Sequence, residues 1–421
     1  MDHFLFACVK INNFLKSTEI VYVIIEVGDS MTRFTDNQKG SSHFFGDYKK
    51  ARILDYEQMN EHLDQLKICQ EHQEIGTTTF GYPIRYFTYG HGPNHVILTA
   101  GTHAVELITN CFLIHFMEYL EKYPEKIDQD TYTLHFIPIL NPEGTIVLTS
   151  AIRAVIPRTT SPFWEELFCI QYYMNAKVED SYVLENQNQE DKLQMWMFRY
   201  ATPDCIDDKH KNLKKSIARI IEKQKLPRGV MAQWSSNGVG IDLNANVWNP
   251  RYEKEVLMGK PVYHELRLNQ ISMTSPGPVG CPFRLPEFQL EPENKALFHF
   301  YETLIEKENV LGSFIYHACG NLIYYIDPPN DSYNRIVAQT YQKYTGYQVL
   351  SKQRPTTVDY VLKKRLKGTL LIELGNIRAT PLSQFVDSID SVYSHIMEDN
   401  TKAIIETIKT MKIQIHNYQK N

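Results

Sequence analysis

Four His-x-x-Glu pairs occur in this chain: His103/Glu106, His115/Glu118, His299/Glu302 and His395/Glu398. An imidazole nitrogen and a carboxylate oxygen three residues apart can serve as two ligands of one metal ion. The same spacing also sets two side chains on one face of any helix, with no metal involved. At most one of the four is expected to hold a metal, so context has to select it. His115, His299 and His395 lie within helical patterns, where a histidine usually sits on an outward or satisfied face. His103 differs, because "GTHAVEL" follows the apolar run "HVILTA".

In open α/β sheets, ligands collect in the crevice beyond the carboxyl ends of the strands. Five apolar runs here end in polar groups. "HVILTA" leads to Gly101, His103 and Glu106, and "HFIPIL" leads to Asn141, Pro142, Glu143 and Gly144. "GVGIDLNAN" presents Asp242, Asn244 and Asn246, "GSFIY" delivers His317, and "GTLLI" delivers Glu373. A catalytic zinc takes three nitrogen or oxygen ligands and keeps one position open. His103, Glu106 and His317 supply such a set, and Glu373 remains as a carboxylate able to take a proton from a water. On residue type alone, His317 reads equally as a buried histidine bonded to backbone. Glu373, between Ile372 and Leu374, reads equally as an ion-paired acid at a strand end.

The elements that must position these groups follow from periodicity. "ILDYEQMNEHLDQLKIC" (53–69) has helical spacing, and "TTTFGYPIRYFTYG" alternates as a hairpin around Gly81 and Gly90. Short β-branched runs ("HVILTA", "YTLHFIPIL", "GSFIYHA", "LIYYI", "GTLLIEL") then alternate with helices such as 106–123, which predicts an α/β sheet with helices on both faces. Residues 146–230 are helical and polar in pattern and read as an insertion capping one face. Residues 386–415 read as an amphipathic helix on the outside, and residues 1–49 as an N-terminal extension to a catalytic domain spanning 50–415.

Bulk properties narrow the function classes. The chain has 421 residues, enough for one large α/β domain or two smaller ones. A formal net charge of −5 without a basic block argues against nucleic acid as a partner. Seven cysteines, an odd set lacking any Cys-x-x-Cys pair, argue against a disulfide framework and a cysteine zinc cluster. No apolar run approaches the ~18 residues of a membrane span. In the opening stretch, Lys10, Asn12, Asn13, Lys16 and Glu19 interrupt every candidate leader core. The expectation is a non-secretory, cytoplasmic protein without a membrane partner; Met31 is a plausible alternative start.

From about residue 50 to 385, the order of motifs resembles the carboxypeptidase A-like zinc metallopeptidases. "GTHAVEL" is similar to that family's first zinc motif, and "LNPEG" to its Asn-Pro-Asp-Gly turn, with Glu143 for the usual aspartate. "WSSNGVGIDLNAN" resembles the segment ending Gly-Val-Asp-Leu-Asn-Arg-Asn. "PGPVG" with "EPENKAL" resembles its Pro-Gly…Glu-Pro-Glu helix start, where Pro292 suits a first turn. "YHACGNLIYY" resembles the strand with the third zinc ligand, and "LLIEL" the strand with the catalytic glutamate. The resemblance implies a three-layer α/β/α sandwich around a mixed, mostly parallel sheet. It further implies one zinc per chain on His103, Glu106 and His317, Glu373 as general base and acid, and a peptide or peptide-like substrate. Asn244 would bond the substrate's terminal carboxylate, and Val358 would sit at the base of the side-chain pocket.

Departures from the pattern fall on substrate binding. Val105, Val239 and Ala245 occupy positions where the family commonly carries arginine. The tyrosine expected before "TTVDY" falls near Ser351, with Tyr347 the nearest phenol. Losing one oxyanion donor typically costs ~3–4 kcal/mol of transition-state stabilisation, and valine cannot replace a bidentate guanidinium. Arg153, Arg158, Arg251 and Arg354 are the candidate replacements, each also readable as a solvated surface arginine. Arg153 is favoured because it follows the "NPEG" turn. The activity expected is that of a zinc-dependent metallocarboxypeptidase. The alternatives are an endo-acting amidase on bacterial cell-wall peptides and a catalytically silent, zinc-holding peptide binder.

Overall fold

Eight strands form one mixed sheet in the order β1-β2-β4-β3-β5-β8-β6-β7. The computed structural model describes residues 55–67, 73–155, 201–224, 226, 230–244, 246, 290–318, 320–326, 332–351, 358–375 and 396–414. Along the chain, α1 (Tyr56–Gln65) precedes a hairpin of β1 (Gln73–Thr77) and β2 (Pro83–Tyr89). Next come β3 (Asn94–Thr99), α2 (Leu107–Lys122), β4 (Tyr132–Ile137), α3 (Pro142–Val155) and α4 (Lys211–Gln224). The second half contributes α5 (Pro292–Lys307), β5 (Asn309–His317), β6 (Leu322–Tyr324), α6 (Tyr333–Thr345), β7 (Gln348–Leu350), α7 (Val358–Arg365) and β8 (Thr369–Glu373). A helix over 396–414, here α8, follows.

The central strands β4, β3, β5 and β8 run parallel, and the edge pairs β1/β2, β2/β4 and β6/β8 are antiparallel. Side chains alternate across a strand, and the two faces of β3 show the result. Val96 and Leu98 join a core with Phe112, Phe116, Phe314 and Tyr316, covered by helices that include α2, α3, α6 and α8. Ile97 points the other way, into a second core with Ile137, Ile315, Leu297, Tyr301, Val358 and Leu362 beneath α5 and α7. Two apolar layers with helices over both make the three-layer α/β/α sandwich. Truncating a buried aromatic such as Phe112 or Phe314 in such a core costs ~3–5 kcal/mol.

Topology also fixes where a site can form. From β3 the chain crosses through α2 to β4 on one side, whereas β5 pairs with β3 on the other. The strand order therefore reverses between β3 and β5, and a crevice opens beyond their carboxyl ends.

One of the five apolar runs does not become a strand. Residues 237–241 close into a loop, with the Ile241 carbonyl accepting from Asn237 N–H at 2.9 Å and Gly240 at φ 81°. A left-handed backbone at that glycine turns the chain instead of extending it. The polar groups of "GIDLN" thus arrive on a loop, and the other four on strand ends. The expected insertion is described at its two ends only, in α3 and in residues 201–224, 226 and 230, which include α4. The N-terminal extension and residues 386–395 lie outside the described residues.

Candidate metal centre

At the end of β3, the chain must turn sharply to bring His103 and Glu106 over the sheet. Gly101 makes that turn at φ 72°, and a Cβ there would lie 2.3 Å from the Asn110 amide nitrogen. Leu140 and Asn141 N–H groups donate to the Ala100 and Gly101 carbonyls at 3.1 and 3.0 Å, so the exit of β4 braces the exit of β3. Asn141 adds side-chain bonds to the Thr102 and Ser236 carbonyls and accepts from Gly144 N–H at 2.9 Å. It starts α3 and ties two site loops together, a positioning role.

Glu106 occupies the N-cap of α2, yet its side chain makes no capping hydrogen bond. An N-cap side chain is typically worth ~1 kcal/mol, and here that contribution is forgone. The carboxylate turns to the histidines instead. Its Oε1 lies 2.8 Å from His103 Nδ1 and its Oε2 lies 3.0 Å from His317 Nδ1. Those two ring nitrogens are 3.3 Å apart. Among the described residues, this is the set of three whose ligand atoms converge on one point.

Does the cluster fit a metal? An ion bound tetrahedrally at roughly 2.1 Å holds its ligand atoms roughly 3.4 Å apart, close to this spacing. Each imidazole nitrogen faces its own oxygen of the Glu106 carboxylate, so two nitrogens and a carboxylate oxygen can all turn to one cation. The set is mixed nitrogen and oxygen, as zinc takes. Glu106 and His317 are buried, while the His103 side chain is 16% exposed, so the cluster is reached from one side. Without a cation the charges fall on the ligands themselves. Burial opposes a charged His103, but Glu106 and Asp242 outweigh it and push its pKa up to about 10. Burial likewise opposes ionised Glu106, and His103 and His317 bring it down to about 2.

Asp242, named above among the polar groups of "GIDLNAN" without a role, meets the cluster from its loop. Its buried Oδ1 lies 3.1 Å from His103 Nε2 and also accepts from Asn244 N–H at 3.0 Å. A carboxylate on the far nitrogen fixes the tautomer and aim of a metal-binding imidazole. The signal was present as an acid inside "GIDLNAN", but nothing in the spacing says which histidine it meets.

His317 ends β5 and Glu373 ends β8, and the two are register partners on adjacent parallel strands. Such neighbours project to the same face, with strands ~4.8 Å apart. That face is the one carrying Ile315, Val358 and Leu362. Val358 starts α7, is buried, and its N–H donates to the Asn244 carbonyl at 2.8 Å. The loop bearing Asn244 is also fastened to α5, because Asn294 donates to the Leu243 and Asn246 carbonyls at 2.9 and 3.1 Å. Asn244 and Val358 are thereby neighbours on the crevice side.

Arg153 meets the start of α1. It lies in the last turn of α3, roughly 16 Å along the helix from Pro142 at the site end. Its Nε is 3.0 Å from Asp55 Oδ2, and its guanidinium also meets Gln58. A rise of 1.5 Å per residue carries it away from the turn it follows in sequence. Arg158, Arg251, Arg354 and Ala245 lie outside the described residues. Val105 is buried and Val239 partly so. The Tyr347 phenol accepts from Gly375 N–H and Asn400 Nδ2, at 3.2 and 3.1 Å, which ties β8's exit to α8.

A sequence model of the zinc carboxypeptidases matches residues 56–364, well over half of the chain. No match is found among curated proteins. Among solved structures, bovine thrombin-activatable fibrinolysis inhibitor, in complex with tick carboxypeptidase inhibitor, is 14% identical with a TM-score of 0.47, covering 85% of this chain and 95% of that one. Carboxypeptidase A from Helicoverpa armigera is 12% identical with a TM-score of 0.46, covering 84% and 73%. Murein-tripeptide amidase MpaA from Escherichia coli O157 is 12% identical with a TM-score of 0.35, covering 78% and 91%. On the family match, this chain belongs to the zinc carboxypeptidases.

Proposed function

We propose that this chain is a metallocarboxypeptidase: it holds one zinc on His103, Glu106 and His317 and hydrolyses peptide bonds with Glu373 as general base and then general acid. The observation that carries the reading is the register pairing of His317 with Glu373 at the switch point of the sheet. This register supports the reading of Glu373 as a second carboxylate near the three-ligand cluster.

Zinc bound there supplies a Lewis acid for the scissile carbonyl and lowers the pKa of a water. The protein's own groups do the rest. Asp242 holds the His103 ring in one tautomer. Glu373 takes the proton of the attacking water and hands it to the leaving nitrogen. Asn244 offers a side-chain amide to the substrate's terminal carboxylate, and Val358 floors the pocket for its side chain. A reducing, cytoplasmic setting fits the odd, unpatterned cysteine set.

The test is metal analysis of purified protein together with digestion of a peptide ladder. Zinc with stepwise C-terminal trimming is the expected result. Internal cleavage, or cleavage of peptides with amidated C-termini, would instead favour an amidase, for which Val105 and Val239 in place of arginine speak. Zinc without any turnover would make the chain a peptide binder.

A further inference from the structure

Glu373 is the last residue of β8, so its aim depends on what holds the chain just after the strand. Two residues on, Gly375 turns at φ 70° and is gripped from both sides. Its carbonyl accepts from the Gly320 and Asn321 N–H groups at 2.5 and 3.0 Å, and its N–H donates to the Tyr347 phenol at 3.2 Å. The Asn321 carbonyl in turn accepts from the Gln348 N–H at 2.9 Å. Residues 320–321, 347–348 and 374–375 thus close into one ring of bonds just past His317 and Glu373. Asn321 sits in that ring at φ 53°, the one non-glycine residue with positive φ among the described residues. Such a backbone persists where its surroundings enforce it.

The ring is anchored from the interior by Asn400 of α8, which is fully buried. Its Oδ1 accepts from the Tyr341 hydroxyl of α6 at 2.7 Å. Its Nδ2 donates to the Tyr347 phenol at 3.1 Å and to the Ile396 carbonyl at 2.7 Å. Both amide hydrogens and the amide oxygen are therefore engaged, and a flip would strand buried donors and acceptors. We infer that Asn400, acting through the Tyr347 phenol, is a positioning residue for Glu373: it fixes the exit of β8 and with it the aim of the carboxylate in register with His317. The inference rests on the proposed role of Glu373 as proton carrier. It also gives a role to Tyr347, the phenol nearest in sequence to the tyrosine expected in the substrate groove, since its hydroxyl is committed to these buried bonds. A proton carrier works only within hydrogen-bond reach of its partner. Loosening the tether should therefore show in turnover and leave ground-state binding and metal content alone.

Tyr347→Phe removes the phenol oxygen and keeps the ring, and Asn400→Leu removes the amide and keeps most of the shape. On zinc-loaded protein each should lower kcat by ~10–10²-fold, the scale of a misplaced catalytic group. KM should stay within about twofold of wild type, and zinc per chain should be unchanged. In a Glu373→Gln background neither change should lower kcat further, because the carboxyl whose aim they set is gone. Hydrogen exchange reads the same tether without turnover: Leu374 and Gly375 amides should exchange faster in both variants, while β3 and β4 keep wild-type protection. Tyr347→Phe, the milder change, carries the test alone if Asn400→Leu does not fold. Wild-type kcat in the zinc-loaded variants, or an equal loss with and without Glu373, overturns the inference. Wild-type exchange at Leu374 and Gly375 in the variants overturns it whether or not the protein turns over peptides. Absence of turnover in the wild type itself would be the failure of the proposed function, and the inference would fall with it.

Discussion

His317 and Glu373 end adjacent parallel strands in register, and the backbone ties them further, because the Leu374 N–H donates to the His317 carbonyl at 2.7 Å. A one-residue slip of β8 would turn Glu373 to the opposite face. The proposed division of labour is one ligand and one proton carrier, held at fixed separation by a ladder. Glu373→Gln should therefore retain zinc and substrate affinity and lose ~10²–10⁴-fold in kcat. Steady-state kinetics on the zinc-loaded variant provide the check. Unchanged kcat would return Glu373 to a strand-end acid with a structural role.

The Asp242–His103 contact predicts a metal-affinity phenotype away from the ligands. Asp242→Asn keeps shape but loses the charge that orients the ring, and loss of such a partner typically weakens metal binding ~10–100-fold. Competition with a chelator, read as zinc retained per chain, measures it. Retention equal to wild type would remove Asp242 from the metal's support. His317→Ala, as a reference, should abolish tight zinc binding.

Much of the fold was legible because its central strands are short apolar runs closed by small or polar residues, a pattern set by burial on both faces. β3, β4, β5 and β8 all read this way. The three-residue edge strand β7 did not, since Gln348–Leu350 carries too little alternation to register. The "GIDLN" stretch misread as a run because Ile and Leu flank a turn that only Asn237 and Gly240 betray. At the site, His103, Glu106 and His317 were legible from residue type at strand ends, and the structure brings them together. For Arg153 the structure shows a partner that the sequence does not signal, Asp55 at the start of α1.

Arg153 now carries a different prediction. Asp55 and Gln58 form the capping box that starts α1, and Arg153 pairs with both. Partly exposed pairs of this kind are worth up to ~1 kcal/mol. Arg153→Ala should lower stability by about that amount in a denaturant melt and leave kcat/KM within about twofold of wild type. A fall of ~100-fold in kcat/KM, with stability unchanged, would be the signature of a charge-assisted substrate contact and would reinstate it in the crevice.

Glu293 gives the clearest pH dependence. It is fully buried at the start of α5, with Asn237 Nδ2 3.5 Å from its Oε1 and 2.9 Å from Glu291 Oε2. Burial, and then the nearby charge of Glu143, push its pKa up from 4.5 to about 8. In the unfolded chain the same carboxyl ionises near its ordinary value. Between about pH 4.5 and about pH 8 the folded state thus binds more protons than the unfolded one. Stability from this group is complete below that window and is lost as pH rises through it. Glu293→Gln mimics the protonated acid at every pH. The variant should match wild type near pH 4.5 and exceed it increasingly towards pH 8, by on the order of a few kcal/mol. Because Asn237 sits in the loop that carries Asp242, the same ionisation should loosen the support of His103, and zinc retention at pH 8 should improve in the variant. Thermal melts of both proteins across the window decide the matter. Parallel curves for wild type and Glu293→Gln would mean that Glu293 titrates alike in the folded and unfolded chains.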